Sequence, residues 1–323
     1  MKAAMRACIP FVLFLSLFTV SCQKDAVTAV NTERVDNSPI ASLNAAAKAK
    51  NGPIGACYVE VNSNNILNTG CYTLKNGGQQ LFDIAIIFAA NINYDTKAKK
   101  AVLYNNPQVT TVLSGKDTYI KPLQAKGIKV MLSVLGNHQG AGVSNFTSRA
   151  SALDFAKQLA AAVKTYNLDG IDFDDEYADY GNNGLPQPND SSFTILVATL
   201  RHLLPTKLIT FYYYGPAISS LTYKKLRAGN YLDYAWNPYY GSFSVPKVPG
   251  MDSTQYAPAA DWVNNTSLAT AKNLATKTIN GGYGAYLYYD LTNTPSSNYL
   301  SGITNILYKD SVSLAPGCLQ TFP

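Results

Sequence analysis

The sequence predicts a single (β/α)8 barrel of the TIM type, and three observations point there. Short runs rich in β-branched and aromatic residues alternate with helical patterns over about 270 residues, the mark of parallel βα units. Seven strand runs are plain, and "APAADWVNN" (257–265) holds a weaker eighth, the number that closes a barrel. No G-x-G-x-x-G or G-x-x-x-x-G-K-[ST] phosphate loop supports the alternative of an open, doubly wound sheet.

The chain opens with Lys2 and Arg6, then an apolar run, "ACIPFVLFLSLFTV" (Ala7 to Val20), then Ser21 and Cys22. The run is short for a membrane span and fits the core of an export signal. The pattern resembles a bacterial lipoprotein signal, with residues 1–21 removed and Cys22 lipidated. Thr19 departs from that pattern, and a plain secretory signal is the alternative. Residues 22–53 are rich in Ala, Asn, Lys and Ser and read as a tether. The barrel domain then spans residues 54–323.

Within it the strand runs are "ACYVEVN" (56–62), "FDIAIIFAANI" (82–92), "IKVMLSVLG" (128–136) and "LDGIDFDDE" (168–176). They continue with "LITFYYYG" (208–215), "LDYAWNPYYG" (232–241) and "YGAYLYYDL" (283–291). Helices are expected in "KDTYIKPLQAKG", "SRASALDFAKQLAAAVKTYN", "DSSFTILVATLRHLLP" and "SLATAKNLATKTING". "DSSF" and "NTSL" carry helix-start residues, and "NGG" after Ile279 carries a stop.

With 47% hydrophobic and 14% charged residues the composition is globular. The net charge of +6 is not gathered into a basic run, so nucleic acid is not an expected partner. Twenty-three tyrosines suit both packing and contacts with sugar rings and hydroxyls. In an oxidising compartment Cys57, Cys71 and Cys318 remain, and a hairpin turning at Asn64 would set Cys57 opposite Cys71 as a disulfide. The two histidines, His138 and His202, lie far apart, so zinc is not expected. No cofactor or metal is expected, and the only membrane contact expected of this monomer is the lipid at Cys22.

The sharpest feature is "LDGIDFDDEYADYGNNG" (168–184), which crowds Asp169, Asp172, Asp174, Asp175, Glu176 and Asp179 together. A solvated loop, a metal site and a set of catalytic carboxylates are the three readings. Ile171 and Phe173 give the alternation of a strand, which disfavours the loop. The calcium pattern D-x-[DN]-x-[DN]-G is broken here, which disfavours the metal. On a strand, Leu168, Gly170, Asp172, Asp174 and Glu176 share one face and Ile171 and Phe173 the other. The carboxylates then point into the barrel and climb toward its C-terminal rim, where barrel active sites lie.

Stacked carboxylates cannot all ionise cheaply, so at least one keeps a proton. Glu176, nearest the rim, is the expected general acid of a glycoside cleavage. Asp174 stands beside it, not across the sugar from it as a retaining nucleophile would. That favours substrate-assisted cleavage: the sugar's own 2-acetamido oxygen attacks, Asp174 orients the acetamido N–H, and Asp172 tunes Asp174.

Asp169, Asp172, Asp174 and Glu176 match D-x-x-D-x-D-x-E, the signature of glycoside hydrolase family 18, which the chain resembles. "IFAANINYD", "GIKVMLSVLGNHQGAG", "LDGIDFDDEYADYGNNG", "QPNDSSF" and "DYAWNPYYG" are similar to the endoglycosidase H branch, and less closely to the F type. The similarity runs from about Tyr58 to Tyr308. It implies a TIM barrel that hydrolyses the β-1,4 bond between the two core GlcNAc residues of high-mannose and hybrid N-glycans. It also implies a strand-six tyrosine on the acetamido carbonyl: Tyr239, with Asn237 on the same face, or Tyr240 one register on. An aromatic of strand eight, Tyr289 or Tyr288, would floor the reacting sugar. Phe88, Asn91, Asn137 and His138, at the ends of strands two and three, would line the groove, with a structural role as the alternative for His138. An exported chitinase and a non-catalytic lectin are the rival readings; the lectin is disfavoured by the presence of Glu176.

Overall fold

The computed structural model describes residues 50–322. The leader, Cys22 and most of the tether lie outside the described residues. Eight principal strands form a barrel-like sheet: β1 (Ile54–Glu60), β2 (Ile84–Asp95), β3 (Lys129–Gly136), β4 (Gly170–Asp174), β5 (Leu208–Tyr212), β6 (Tyr234–Trp236), β7 (Ala259–Trp262) and β8 (Ala285–Tyr289). Neighbours pair in parallel from β1 through β6, and β8 pairs with β1 on one side and β7 on the other. Between β6 and β7, the two-residue strand Tyr256–Ala257 pairs with β6, and Pro258 joins it to β7.

Alternation along the strands separates two cores. Ala56, Tyr58, Ile84, Ile86, Met131, Tyr212, Tyr234, Trp236 and Leu287 fill the interior. Val59, Ile87, Leu132, Ile171, Phe173, Ile209, Phe211 and Tyr288 face outward into the larger core under the helices. Leu168 joins that outer core, because it precedes β4 and does not share the inward face of Asp172.

The four expected helical segments form, and two further helices, Pro107–Ser114 and Ser297–Leu307, join them. α1 (Pro107–Ser114) opens a run of short helices before β3. α2 (Arg149–Tyr166) starts in a capping box of Ser148 and Ser151 and ends at Asn167 in the left-handed region. Its buried stripe is Ala152, Phe155, Ala156, Leu159 and Val163. α3 (Ser192–Leu203) is capped by Asn189, whose Oδ1 accepts from the N–H groups of Ser191 and Ser192. α4 (Leu268–Asn280) has Ser267 as N-cap and Gly281 as C-cap, and α5 (Ser297–Leu307) follows β8.

Three crossovers depart from the full (β/α)8 pattern, since no α-helix follows β1, β5 or β6 among the described residues. The β6 connection carries Pro238, Pro246 and Pro249, which break helical hydrogen bonding. The β5 connection folds as 3-10 turns around a minimal hairpin, Thr222–Tyr223 with Leu226–Arg227.

The β1 connection corrects the expected disulfide. Cys71 pairs with Cys318, 247 residues away, and Cys57 is a free buried thiol on β1. Residues Ile66–Cys71 form a 3-10 helix capped by Asn65, so no hairpin arm returns Cys71 to β1. The C-terminal segment packs there instead: Val312–Leu314 pairs with Tyr72–Leu74, and Asn68 exchanges hydrogen bonds with Gln320. A covalent loop of this length restricts the unfolded chain strongly, worth ~2–5 kcal/mol by analogy with native disulfides of small domains. Just before β1, the Lys50 side chain is only 5% exposed, with Nζ 2.6 Å from Asp83 Oδ2 and over the Tyr308 ring. No helix among the described residues is long and apolar enough to cross a membrane.

Candidate active site

The expected inward face of β4 carries two buried carboxylates. Asp172 is the lower and accepts four hydrogen bonds from four different strands or their ends. Tyr58 Oη (2.7 Å) and Ser133 Oγ (2.8 Å) donate to Oδ2, and Thr210 Oγ1 (2.5 Å) and Trp236 Nε1 (3.0 Å) donate to Oδ1. Ser133 and Thr210 flank Asp172 in register on β3 and β5, so the sheet itself sets the geometry. Burial raises the Asp172 pKa, and the four donors oppose that rise.

One layer up, Asp174 is 2% exposed, and its Oδ1 has no hydrogen-bond partner among the described residues. A buried acceptor without a donor is costly, and native structures keep one where a ligand or water completes it. Its pKa is pushed well above the carboxylate range, by burial first and then by Glu176, Asp172 and Asp175. Glu176 is half-buried, and burial raises its pKa as well. Glu176 was the expected holder of the shared proton. The stronger upward push falls on Asp174, because it is enclosed and has three carboxylate neighbours.

Asp175 points elsewhere and fastens the loops behind the acid. It accepts from Ser144 Oγ (2.7 Å), the Ala217 N–H (2.8 Å) and Tyr180 Oη. Burial lifts its pKa to about 6. The backbone of Glu176 is held by β3: Gly136, His138 and Gly140 donate in turn to the carbonyls of Glu176, Tyr177 and Ala178. A Cβ at Gly136 would strike the Glu176 carbonyl and the Ala178 amide, so this close approach requires glycine. Asp169 lies at the foot of the strand, accepting from Gln124 and the Val130 N–H, away from the rim carboxylates.

Aromatic rings wall the space around Asp174. Tyr240 stacks on Tyr289 with centroids 4.7 Å apart, and Tyr212 and Phe88 complete the ring contacts. Tyr289 thus faces the interior, whereas Tyr288 is buried in the outer core. Of the two strand-six tyrosines, Tyr240 packs on the inner aromatic cluster and feels the charge of Asp174. Tyr239 is 57% exposed and lies beside Tyr214 on the rim. Of the two it is Tyr240, not Tyr239, that packs against the interior, because Pro238 interrupts the alternation after β6. Asn237 does not face the cavity either. Its Nδ2 donates to the Pro258 carbonyl (2.9 Å), the Ser242 carbonyl (3.0 Å) and Ser242 Oγ (3.1 Å), and its Oδ1 accepts from the Tyr239 N–H. It is a brace for the rim loop.

The other groove candidates are bonded to neighbouring groups of the protein. Asn91 Nδ2 donates to the Gly136 carbonyl (3.1 Å), and Asn137 Nδ2 donates to Asn93 Oδ1 (2.9 Å). His138 is exposed, with Nδ1 2.9 Å from Asp179 Oδ2 and its ring against Tyr177. Reasoning from sequence missed Tyr58, Ser133, Thr210 and Trp236 around Asp172, Tyr212 beside Tyr240, and Trp262, 43% exposed against Tyr289. Period-two counting could have placed Tyr58, Ser133 and Thr210 inward, but not onto one carboxylate. No group of three His, Cys, Asp or Glu side chains suited to a metal occurs among the described residues.

Comparison with known proteins agrees with this geometry. Residues 56–303 match the family model described as glycosyl hydrolases family 18. The chain is 52% identical over 263 residues to an endo-beta-N-acetylglucosaminidase of Flavobacterium sp. (strain SK1022), covering 81% of this chain and 83% of that protein. It is 37% identical over 306 residues to endo-beta-N-acetylglucosaminidase F1 of Elizabethkingia meningoseptica, covering 90% and 86%. Among solved structures it is similar to EndoBT-3987 of Bacteroides thetaiotamicron, at TM-score 0.74 in each of two complexes. In the Man5GlcNAc product complex the match has 31% identity and covers 83% of this chain and 63% of that chain. In the Man9GlcNAc2Asn substrate complex it has 30% identity and covers 84% and 70%. Asp172 and Asp174 of the acidic signature lie inward on the fourth strand of a barrel-like sheet that the family model spans almost from end to end, and the chain belongs to glycosyl hydrolase family 18.

Proposed function

We propose that the chain is an endo-β-N-acetylglucosaminidase that cuts the β-1,4 bond of the di-GlcNAc core of high-mannose and hybrid N-glycans, with retention. The observation that carries the chemistry is the unpartnered, buried Oδ1 of Asp174, at the end of β4 and two residues before Glu176. A 2-acetamido N–H is a donor of the right kind for that oxygen, whether Asp174 is neutral or ionised. Its arrival favours the ionised form of Asp174, since a hydrogen bond to a carboxylate lowers its pKa. The charge on Asp174 then raises the pKa of Glu176, which moves the shared proton to the acid at the moment substrate is in place. Glu176 protonates the glycosidic oxygen as the acetamido carbonyl oxygen attacks the anomeric carbon. The leaving sugar departs, and ionised Asp174 stabilises the positive oxazolinium. Water, deprotonated by Glu176, then opens that ring from the face the leaving group vacated. Asp172, fixed by its four donors, holds Asp174 from below, and Tyr240 stands where it can meet the acetamido carbonyl.

The chitinase reading would use the same acid and the same acetamido nucleophile, so the substrates must separate the two. Remote mannose contacts with the aromatic rim supply binding energy that is used to distort the reacting sugar. Unsubstituted chitin oligomers lack those contacts and are expected to have a much lower kcat/KM than a high-mannose glycopeptide. Equal values for the two substrates would make the protein a chitinase.

Export through a lipoprotein signal, with the enzyme anchored by Cys22 and monomeric, is proposed with it. The Cys71–Cys318 disulfide supports an oxidising compartment. Cys22→Ser is expected to move the protein from the membrane to the soluble exported fraction, because stable anchoring needs more than one acyl chain. A wild-type protein already soluble after export would rule out the lipid anchor.

A further inference from the structure

The residue that follows the acid is built at a conformational cost. Tyr177 has φ +54, in the left-handed region that bulky side chains rarely adopt. Two of its neighbours share that conformation, His138 at φ +55 and Asp179 at φ +51. Glycine would take all three positions without strain, so the side chains are retained against a local penalty, a pattern that collects at functional sites.

The three side chains form one unit. The His138 N–H donates to the Tyr177 carbonyl (2.6 Å), and His138 Nδ1 lies 2.9 Å from Asp179 Oδ2. The imidazole, fixed in this way, stands against the Tyr177 ring with centroids 5.5 Å apart. The ring is nevertheless 56% exposed, and it stands at the mouth: the charges of Glu176 and Asp174 both act on its phenol. Tyr212, Tyr240 and Tyr289 enclose the side of the cavity around Asp174. A sugar whose acetamido group reaches Asp174 fills that enclosed side. Its leaving group then lies beyond the Glu176 carboxyl, on the open side where Tyr177 stands.

We propose that Tyr177, backed by His138 and Asp179, is the platform for the leaving half of the substrate, the GlcNAc that remains on asparagine. The inference rests on the endoglycosidase reading. Tyr177→Gly keeps the backbone, because glycine adopts φ +54 freely, and removes only the ring. It is expected to lower kcat/KM on a high-mannose glycopeptide by about 3- to 10-fold, the value of one aromatic contact. Hydrolysis of the corresponding sugar oxazoline, which has no leaving sugar, should be unchanged. Tyr177→Phe, which retains the ring, should keep the wild-type rate on the glycopeptide. Equal losses of Tyr177→Gly on both substrates would place the ring on the other side of the bond and overturn the proposal. So would no loss on either, or a Phe variant as impaired as the Gly variant. A wild-type enzyme that ignores the glycopeptide and cuts chitin would sink the endoglycosidase reading itself, a separate outcome read in the same assay.

Discussion

Replacing Glu176 with Gln is expected to cut hydrolysis of a high-mannose glycoprotein by ~10²–10⁴, the usual worth of one positioned proton donor. The substitution keeps the shape of the side chain and removes the proton that the leaving oxygen needs. Glycan binding should therefore stay close to normal, and the loss should fall on kcat while KM changes little. A binding titration beside the rate measurement separates the two. A variant retaining more than about half its activity would show that the proton comes from elsewhere.

Asp174→Asn should be crippled on the glycoprotein for a different reason. The amide cannot carry the negative charge that stabilises the oxazolinium, and it cannot take part in shifting the proton to Glu176. A preformed sugar oxazoline skips the step that Asp174 assists, so turnover of that substrate should persist. The sign of the pH effect also follows. In the proposed substrate complex the charge on Asp174 raises the pKa of Glu176, so its removal should move the alkaline limb of the residual kcat profile to lower pH. Failure on both substrates would make Asp174 a structural residue.

Much of this was legible in the chain, and what was not has physical causes. The β4 alternation of Ile171 and Phe173 against Asp172 and Asp174 read correctly, because a strand buried on both faces has a strict period of two. The helix start at Ser267, in "NTSL", was legible because caps are local. The four donors to Asp172 come from β1, β3, β5 and β6, and only the register between strands brings them to one carboxylate. The Tyr239 and Tyr240 positions were confused because β6 is three residues long and Pro238 ends its alternation. Cys71 found Cys318 and not Cys57, since the C-terminal segment docks on the connection after β1, a contact no local pattern announces. No helix was read after β5 or β6, and the prolines of the β6 connection mark one of those gaps, while α5 after β8 was not read from the sequence.

The proposed enzyme cuts between the two core sugars. The most direct measurement is the mass of a high-mannose glycoprotein after incubation with the enzyme, together with the mass of the released glycan. One GlcNAc should remain on each processed asparagine and the released oligosaccharide should end in a single GlcNAc, as this site of cleavage requires. A protein stripped of both core GlcNAc residues, or one that keeps its whole glycan while chitin oligomers are degraded, would contradict it.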